Sequence, residues 1–208
     1  MPVAEVLYPV NLVLGGRRCV VVGGGTVAAR KVDGLLAAGA DVVVIAPEIN
    51  DQIRSRDVAI IERAYRTGDL EGTWLAIVAT GDAEVNRTVY ADGDEARVWI
   101  NAADDPAACA FTLPAVVRRG PVMVAVSTAG HSPALAAWLR GQVAAQMGPE
   151  VGILAEWLSE ARDELKASGR STEDVDWRPA LDWDMLSLIR SGHTAKARER
   201  LQACLSSS

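Results

Sequence analysis

The sequence predicts an α/β fold in which a doubly wound parallel sheet is followed by a small β and helical region and a helical carboxy-terminal part. Two observations carry this prediction. Up to about residue 112, short Val- and Ile-rich runs alternate with helix-length segments, which is typical of parallel strands covered on both faces. Beyond it, two short apolar runs flank a Gly-Pro pair and lead into stretches with helical apolar spacing.

The elements follow in chain order. Buried strands are predicted at Cys19–Val22, Val42–Ala46, Ala59–Ile61, Trp74–Thr80 and Val98–Asn101, with helices at Val27–Ala38, Glu48–Arg54 and Ala83–Glu95. A hairpin of Leu113–Val117 and Val122–Ser127 comes next, then a helix that Ser132 and Pro133 open and that runs to about Met147. Further helices are predicted at Glu150–Lys166, Asp182–Arg190 and Thr194–Cys204, with a polar linker at Ala167–Asp176. The predicted domains are residues 1–112, 113–148 and 149–208.

Composition excludes several classes of protein. Half of the residues are hydrophobic and 23% are charged, which suits a packed core and argues against disorder or a coiled coil. No apolar run is long enough to span a membrane, and no basic stripe suits a nucleic acid. Three widely spaced cysteines fit neither a disulfide framework nor a metal site, so we expect a cytoplasmic protein without a bound metal.

Charge is unevenly distributed. The net charge is −6, yet residues 107–149 contain no carboxylate and three arginines, Arg118, Arg119 and Arg140. Such a segment is compatible with an anionic ligand. A buried hairpin and helix with no use for carboxylates explains it equally well.

A glycine-rich turn carries the clearest chemistry. The strand ending at Val22 leads into Gly23-Gly24-Gly25-Thr26-Val27-Ala28, a G-x-G-x-x-A sequence at the start of a helix. Gly23 suits a tight turn, Gly25 lets the backbone approach a pyrophosphate, and Ala28 permits close packing of helix on sheet. This context favours a Rossmann-type dinucleotide site over a purely structural turn.

The ribose position is less regular. Glu48 follows the glycines by about 20 residues, the spacing of the acidic residue that binds ribose hydroxyls, but it lies beyond Pro47 and could instead be a first-turn helix carboxylate. No arginine stands at that position to bind a 2′-phosphate, Arg54 being the nearest, so NAD is favoured over NADP. The predicted cofactor-binding residues are Gly23, Gly25, Thr26, Val27, Pro47, Glu48 and Thr80.

An ordered series of motifs resembles the precorrin-2 dehydrogenase family over roughly residues 8–165. The motifs are Gly23–Lys31, Ala46–Glu48, Asn101–Pro106, Pro114–Pro121 and Ser127–Ala136. The resemblance is to the stand-alone form, since the methyltransferase domain of the fused siroheme synthases does not follow. It implies NAD-dependent oxidation of precorrin-2 to sirohydrochlorin, a homodimer with intertwined central regions, and a possible second activity that inserts ferrous or cobaltous ion.

The resemblance also implies site residues. Asp104 corresponds to the family's proton-handling aspartate, although Asp-Asp-Pro is also ordinary turn chemistry, and Asp105 is expected to be structural. Ser127, Thr128 and Gly130 match a loop that lines the tetrapyrrole pocket, with Ala129 and His131 departing from the usual residues.

Other readings remain open at these positions. His131 could touch substrate or simply be solvated. Arg118 and Arg119 could bind substrate carboxylates or form a solvated hairpin tip. The rival functions are an NAD-sensing regulatory module without catalysis and a dehydrogenase for a small substrate, the latter leaving the motifs after Asn101 unexplained.

Overall fold

The protein is described by a computed structural model that covers residues 6–103, 105 and 108–206. It divides into two compact units, Met1–Leu113 and Pro114–Ser208. The predicted regions 113–148 and 149–208 therefore fall almost entirely within the second unit. Among the described residues, no helix is both long enough and apolar enough to cross a membrane.

The first unit is a five-stranded parallel sheet with helices between the strands. The strands are β1 (Arg18–Val22), β2 (Asp41–Ile45), β3 (Ala59–Ile61), β4 (Leu75–Val78) and β5 (Trp99–Ala102), and the helices are α1 (Thr26–Leu36), α2 (Asp51–Arg54) and α3 (Ala83–Ala96). The strand order β3-β2-β1-β4-β5 confirms the doubly wound arrangement.

Both faces of this sheet are buried. Along β1, Cys19 and Val21 pack into one apolar cluster, which includes Val32 of α1, whereas Val20 joins the opposite cluster, which includes Val89 of α3. This alternation follows from the two-residue period of a strand and explains why the strand sequences are almost continuously apolar. The edge strand β3 departs from the expectation, because its residues are exposed or only partly buried.

Helix α2 is shorter than predicted. The prediction placed its start at Glu48, but the helix begins at Asp51, because the Asn50 side chain caps it by accepting a hydrogen bond from the Gln52 amide at 2.7 Å. Pro47 and Glu48 instead lie in a bend between β2 and the cap.

The second unit combines a hairpin with helices. Strands β6 (Ala115–Arg119) and β7 (Val122–Val126) are antiparallel, followed by α4 (Pro133–Gln146), α5 (Glu150–Ala167), a 3₁₀ turn (Arg178–Ala180), α6 (Trp183–Arg190) and α7 (Thr194–Ser206). The helical core contains Trp157, Met185 and Leu201. The buried carboxylate of Glu150, at the start of α5, accepts hydrogen bonds from Arg190 at the end of α6.

The first strand of the hairpin lies two residues later in the chain than predicted, at Ala115–Arg119 and not at Leu113–Val117, and the second ends at Val126 and not at Ser127. Strand β6 continues through Arg119, so that the turn consists of Gly120 and Pro121 alone. This turn packs on α5, where a Cβ at Gly152 would lie 2.7 Å from the Arg119 carbonyl oxygen. The backbone at the start of the turn is therefore held against a helix, while Gly120 and Pro121 themselves are exposed.

Candidate functional site

The glycine turn lies at the carboxyl end of β1, between the neighbouring ends of β2 and β4. The connection after β1 leads to β2 on one side, and the connection after β4 leads to β5 on the other side. The gap between the ends of β1 and β4 is therefore the switch point where α/β proteins bind ligands. Gly23 has a φ of +127°, and a Cβ there would lie 2.3 Å from the Ala79 carbonyl oxygen. A side chain at Gly23 would therefore collide with the segment that follows β4.

Gly24 fits equally tightly on the other side. A Cβ at Gly24 would lie 1.9 Å from the Glu48 carbonyl oxygen, and the Gly24 carbonyl accepts a hydrogen bond from the Asn50 amide at 2.9 Å. The sequence assigned no role to Gly24, because its constraint comes from a loop more than 20 residues away. Gly24 thus holds Pro47 and Glu48 beside the glycine turn.

Gly25 differs from both neighbours. It is exposed, its φ of −86° suits any residue, and a Cβ there would meet no described atom within 4 Å. Helix α1 begins at the next residue, and no side chain caps its first amide groups. Because protein packing does not demand a glycine here, the open position and the amides fit the pyrophosphate of a dinucleotide. Ala28 is fully buried in α1, as its predicted packing role requires.

Glu48 lies outside any helix. Helix α2 begins three residues later, so the alternative of a first-turn helix carboxylate is wrong. The Glu48 side chain is exposed next to the glycine turn, where the ribose role stays a prediction. The nearby Arg54 is engaged, since its guanidinium contacts Glu62 at 2.5 Å and donates to the Ile49 carbonyl at 3.3 Å. These contacts are consistent with NAD rather than NADP.

The segment after β4 forms the other side of the turn. The Thr80 amide nitrogen would lie 3.3 Å from a Cβ at Gly23, and its hydroxyl accepts a hydrogen bond from the Asp82 amide at 3.0 Å. The Thr80 carbonyl accepts from the side chain of Asn86 on α3. Asn86 was not predicted as a site residue, because nothing in its local pattern marks it.

The predicted proton-handling residue, Asp104, lies outside the described residues. Its neighbour Asp105 has a structural backbone role: its carbonyl accepts hydrogen bonds from the Ala108 amide at 3.1 Å and from the Cys109 thiol at 3.3 Å. Asn101, buried at the end of β5, donates to the Phe111 carbonyl at 2.8 Å. These bonds fold the chain after β5 back onto the sheet. Burial raises the pKa of the Cys109 thiol.

The predicted substrate loop forms a closed turn before α4. The Thr128 hydroxyl donates to the Ser132 carbonyl at 3.0 Å and accepts from the Ser132 amide at 3.2 Å. The Ser127 hydroxyl accepts from the Ala129 amide at 3.2 Å, and Ser132 caps α4 as predicted. Ala129, where the family usually has glycine, adopts a left-handed φ of +49°. His131 is exposed in this turn.

The two hairpin arginines differ in their contacts. The Arg119 guanidinium donates to the carbonyls of Met147 at 2.6 Å and Ala144 at 3.1 Å, which satisfies the end of α4. Arg118 is exposed on the neighbouring strand position. A role for either in binding substrate stays a prediction, and Arg119 already has a structural function. Within residues 6–103, 105 and 108–206, no group of three His, Cys, Asp or Glu residues could hold a metal ion.

An open glycine turn at a helix start that no side chain caps, placed at the switch point of a parallel sheet, defines a Rossmann-type dinucleotide-binding protein. The family profile described as putative NAD(P)-binding matches residues 10–115, just over half of the chain, and the profile described as sirohaem biosynthesis protein central matches residues 119–146. The chain belongs to the precorrin-2 dehydrogenase and siroheme synthase family.

Individual relatives agree with this assignment. A siroheme synthase of Chromobacterium violaceum is 36% identical over 204 residues, covering 94% of this chain and 43% of the relative, and one of Nitrosococcus oceani is 34% identical over 203 residues, covering 95% and 43%. This chain thus spans less than half the length of these relatives. The solved structure of SirC, a precorrin-2 dehydrogenase, has a TM-score of 0.73 and 26% identity, covering 96% of this chain and all of that one.

Proposed function

We propose that this protein catalyses the NAD-dependent oxidation of precorrin-2 to sirohydrochlorin. The observation that carries the proposal is the open glycine turn in a chain that matches a precorrin-2 dehydrogenase over 96% of its own length and all of the other. By itself, the open turn at Gly25 would suit any dinucleotide-binding protein and does not identify the substrate. The match through the hairpin and the helices adds the substrate class.

The chain's own residues bind and orient the cofactor. The amides at the start of α1 hold the pyrophosphate, Gly25 allows it to approach, and Glu48 accepts hydrogen bonds from the ribose hydroxyls. When bound, NAD supplies the acceptor for a hydride from a saturated carbon of the tetrapyrrole. For each hydride transferred, the substrate also loses one proton, and we assign Asp104 as its acceptor by its place in the motif after β5.

Substrate recognition is proposed for the carboxylate-free segment. Precorrin-2 carries eight carboxylates, and residues 107–149 present arginines without any Asp or Glu. Arg118, Ser127 and His131 are exposed, although the Ser127 hydroxyl accepts from the Ala129 amide, whereas Thr128 and Arg119 are partly buried and bond within the unit. We therefore expect the first three to contribute more to substrate affinity than the last two.

Anaerobic turnover tests the proposal directly. Precorrin-2, the protein and NAD should yield sirohydrochlorin, observed by its absorption, with one NADH per product. Tight NAD binding without turnover would contradict this function and favour the regulatory module. Turnover of a small hydroxy acid but not of precorrin-2 would favour the ordinary dehydrogenase. Subsequent addition of ferrous or cobaltous ion tests whether the same protein inserts metal.

We also propose that the chain works as a homodimer in the cytoplasm. Helix α4 has 14 residues, of which only Ala136 is buried, and its apolar residues Leu135 and Trp138 are 47% and 58% exposed. A largely apolar helix with so few buried residues suits contact with a second copy of the chain. None of the three cysteines forms a disulfide, which fits a reducing compartment.

Light scattering tests the dimer. Twice the chain mass of 22.0 kDa, about 44 kDa, is expected at micromolar concentration. The variant Trp138→Glu should dissociate it, while Arg140→Glu, an exposed charge reversal on the same helix, serves as a control for the change in charge. A monomer that still turns over substrate would contradict the proposed assembly.

A further inference from the structure

The buried face of α3 contains a polar side chain that packing does not explain. The buried residues of this helix are Asn86, Val89 and Gly93, which share one face and pack towards the sheet. Asn86 is 8% exposed, and its Oδ1 is a buried acceptor without a hydrogen-bond partner among the described residues. Asparagine is a poor helix former, and a buried acceptor without a donor is destabilising, so an apolar residue of this size would suit the fold better.

The other end of the same amide reaches the cofactor site. Asn86 Nδ2 donates to the Thr80 carbonyl at 3.4 Å, and the Thr80 hydroxyl accepts from the Asp82 amide at 3.0 Å. Ala79, the preceding residue, contacts the glycine turn so closely that Gly23 cannot carry a Cβ. The segment of residues 79–81 therefore lies between the glycine turn, which Ala79 contacts, and Asn86, which donates to Thr80.

We propose that Asn86 is a positioning residue for the dinucleotide site, acting through the Thr80 carbonyl on the segment Ala79–Gly81. The side chain is retained despite its cost to the fold because it sets the side of the crevice that faces the glycine turn. A residue whose chemistry reduces stability at the edge of a binding site is a recognised sign of a functional constraint. This inference rests on dinucleotide binding by the first unit, and it adds a residue that the glycine motif does not include.

The sign of two measured effects tests the inference. Asn86→Leu replaces the amide by an apolar group of similar size, so the thermal midpoint of the ligand-free protein should stay level or rise. The same variant should weaken NADH binding by about fivefold to thirtyfold, measured by fluorescence titration. The control Thr88→Ala removes an exposed polar side chain from the same helix and should leave NADH affinity unchanged. A Leu variant with lower stability and wild-type NADH affinity would overturn the proposal.

A second variant removes only the donor. In Asn86→Asp, an ionised carboxylate would repel the Thr80 carbonyl, whereas a protonated one can donate to it. Burial raises the pKa of a carboxyl group, so NADH affinity of this variant should recover as the pH is lowered from about 8 to 5. Wild type should show no such recovery, and a pH profile parallel to wild type would refute the role of the donated hydrogen bond. Failure of the wild type to bind NADH would instead refute the dinucleotide site itself.

Discussion

Gly25 offers a test in which stability and cofactor binding should change in opposite directions. Its φ is accessible to any residue, and a Cβ there would meet no described atom within 4 Å. Replacing such a glycine reduces the entropy of the unfolded chain, which stabilises by roughly 0.4–1 kcal/mol. Gly25 is also the N-cap residue of α1, where Asp is better than Gly by a few tenths of a kcal/mol. We therefore expect Gly25→Asp to leave the fold intact and slightly more stable.

The same variant should bind the cofactor more weakly. The new carboxylate would fill the space that the pyrophosphate needs, and it would accept hydrogen bonds from the amides that otherwise bind phosphate. Two like charges 4 Å apart near a protein surface repel by about 4 kcal/mol, and salt screening reduces this value. We expect at least a tenfold loss of NADH affinity, about 1.4 kcal/mol, measured by fluorescence titration.

Two glycines provide the matched controls. Gly34→Ala, on α1 where a Cβ meets nothing within 4 Å, should stabilise the helix without changing NADH affinity. Gly24→Ala should instead destabilise the protein by about 1–3 kcal/mol, because its Cβ would collide with the Glu48 carbonyl 1.9 Å away. A folded Gly25→Asp variant with wild-type NADH affinity would remove the glycine turn from the proposed mechanism.

Three further outcomes are expected. Asp104→Ala should slow precorrin-2 oxidation by up to about 10²- to 10⁴-fold and should slow any metal insertion at least as much, while NAD affinity stays nearly unchanged. Asp105→Ala should have almost no effect on either activity. The reverse pattern would mean that the motif is misplaced by one residue. The Arg190 hydrogen bonds hold the pKa of Glu150 below its usual range in the folded protein. The stabilisation they give is therefore present above about pH 4.3, the usual pKa of a glutamate, and is lost as the pH falls through the lower pKa of the folded state. Glu150→Gln should reduce the free energy of unfolding by about 1–3 kcal/mol at pH 7 and should weaken its dependence on pH at acidic pH. Ala129→Gly relieves a left-handed backbone and should raise stability by about 0.5–1 kcal/mol in chemical unfolding, whereas a loss of stability would show that the φ of +49° carries no strain.

Local patterns were sufficient for the parallel sheet and most helix bounds, but not for the limits that depend on distant partners. The start of α2 was predicted too early, because Asn50 competes with Glu48 as the first residue of the helix and only the capping bond decides between them. Strand β6 was predicted to end at Val117, although it pairs through Arg119. Its last pair forms where the turn packs against Gly152 of α5, a contact that no local pattern contains.

The sequence by itself determined the class of fold, the glycine turn and the family, because strand periodicity, a strand–glycine–helix order and a series of motifs are all properties of neighbouring residues. Only the tertiary structure decided why each glycine is needed. Gly23 and Gly24 are constrained by carbonyls of Ala79 and Glu48, from segments remote in the chain, whereas Gly25 is left open for a ligand. The physical reason is that steric exclusion and hydrogen bonding act between atoms brought together by the fold, whatever their separation in sequence. For the same reason the proposed role of Asn86 depends on the distance between its side-chain amide and the Thr80 carbonyl, which only the fold sets.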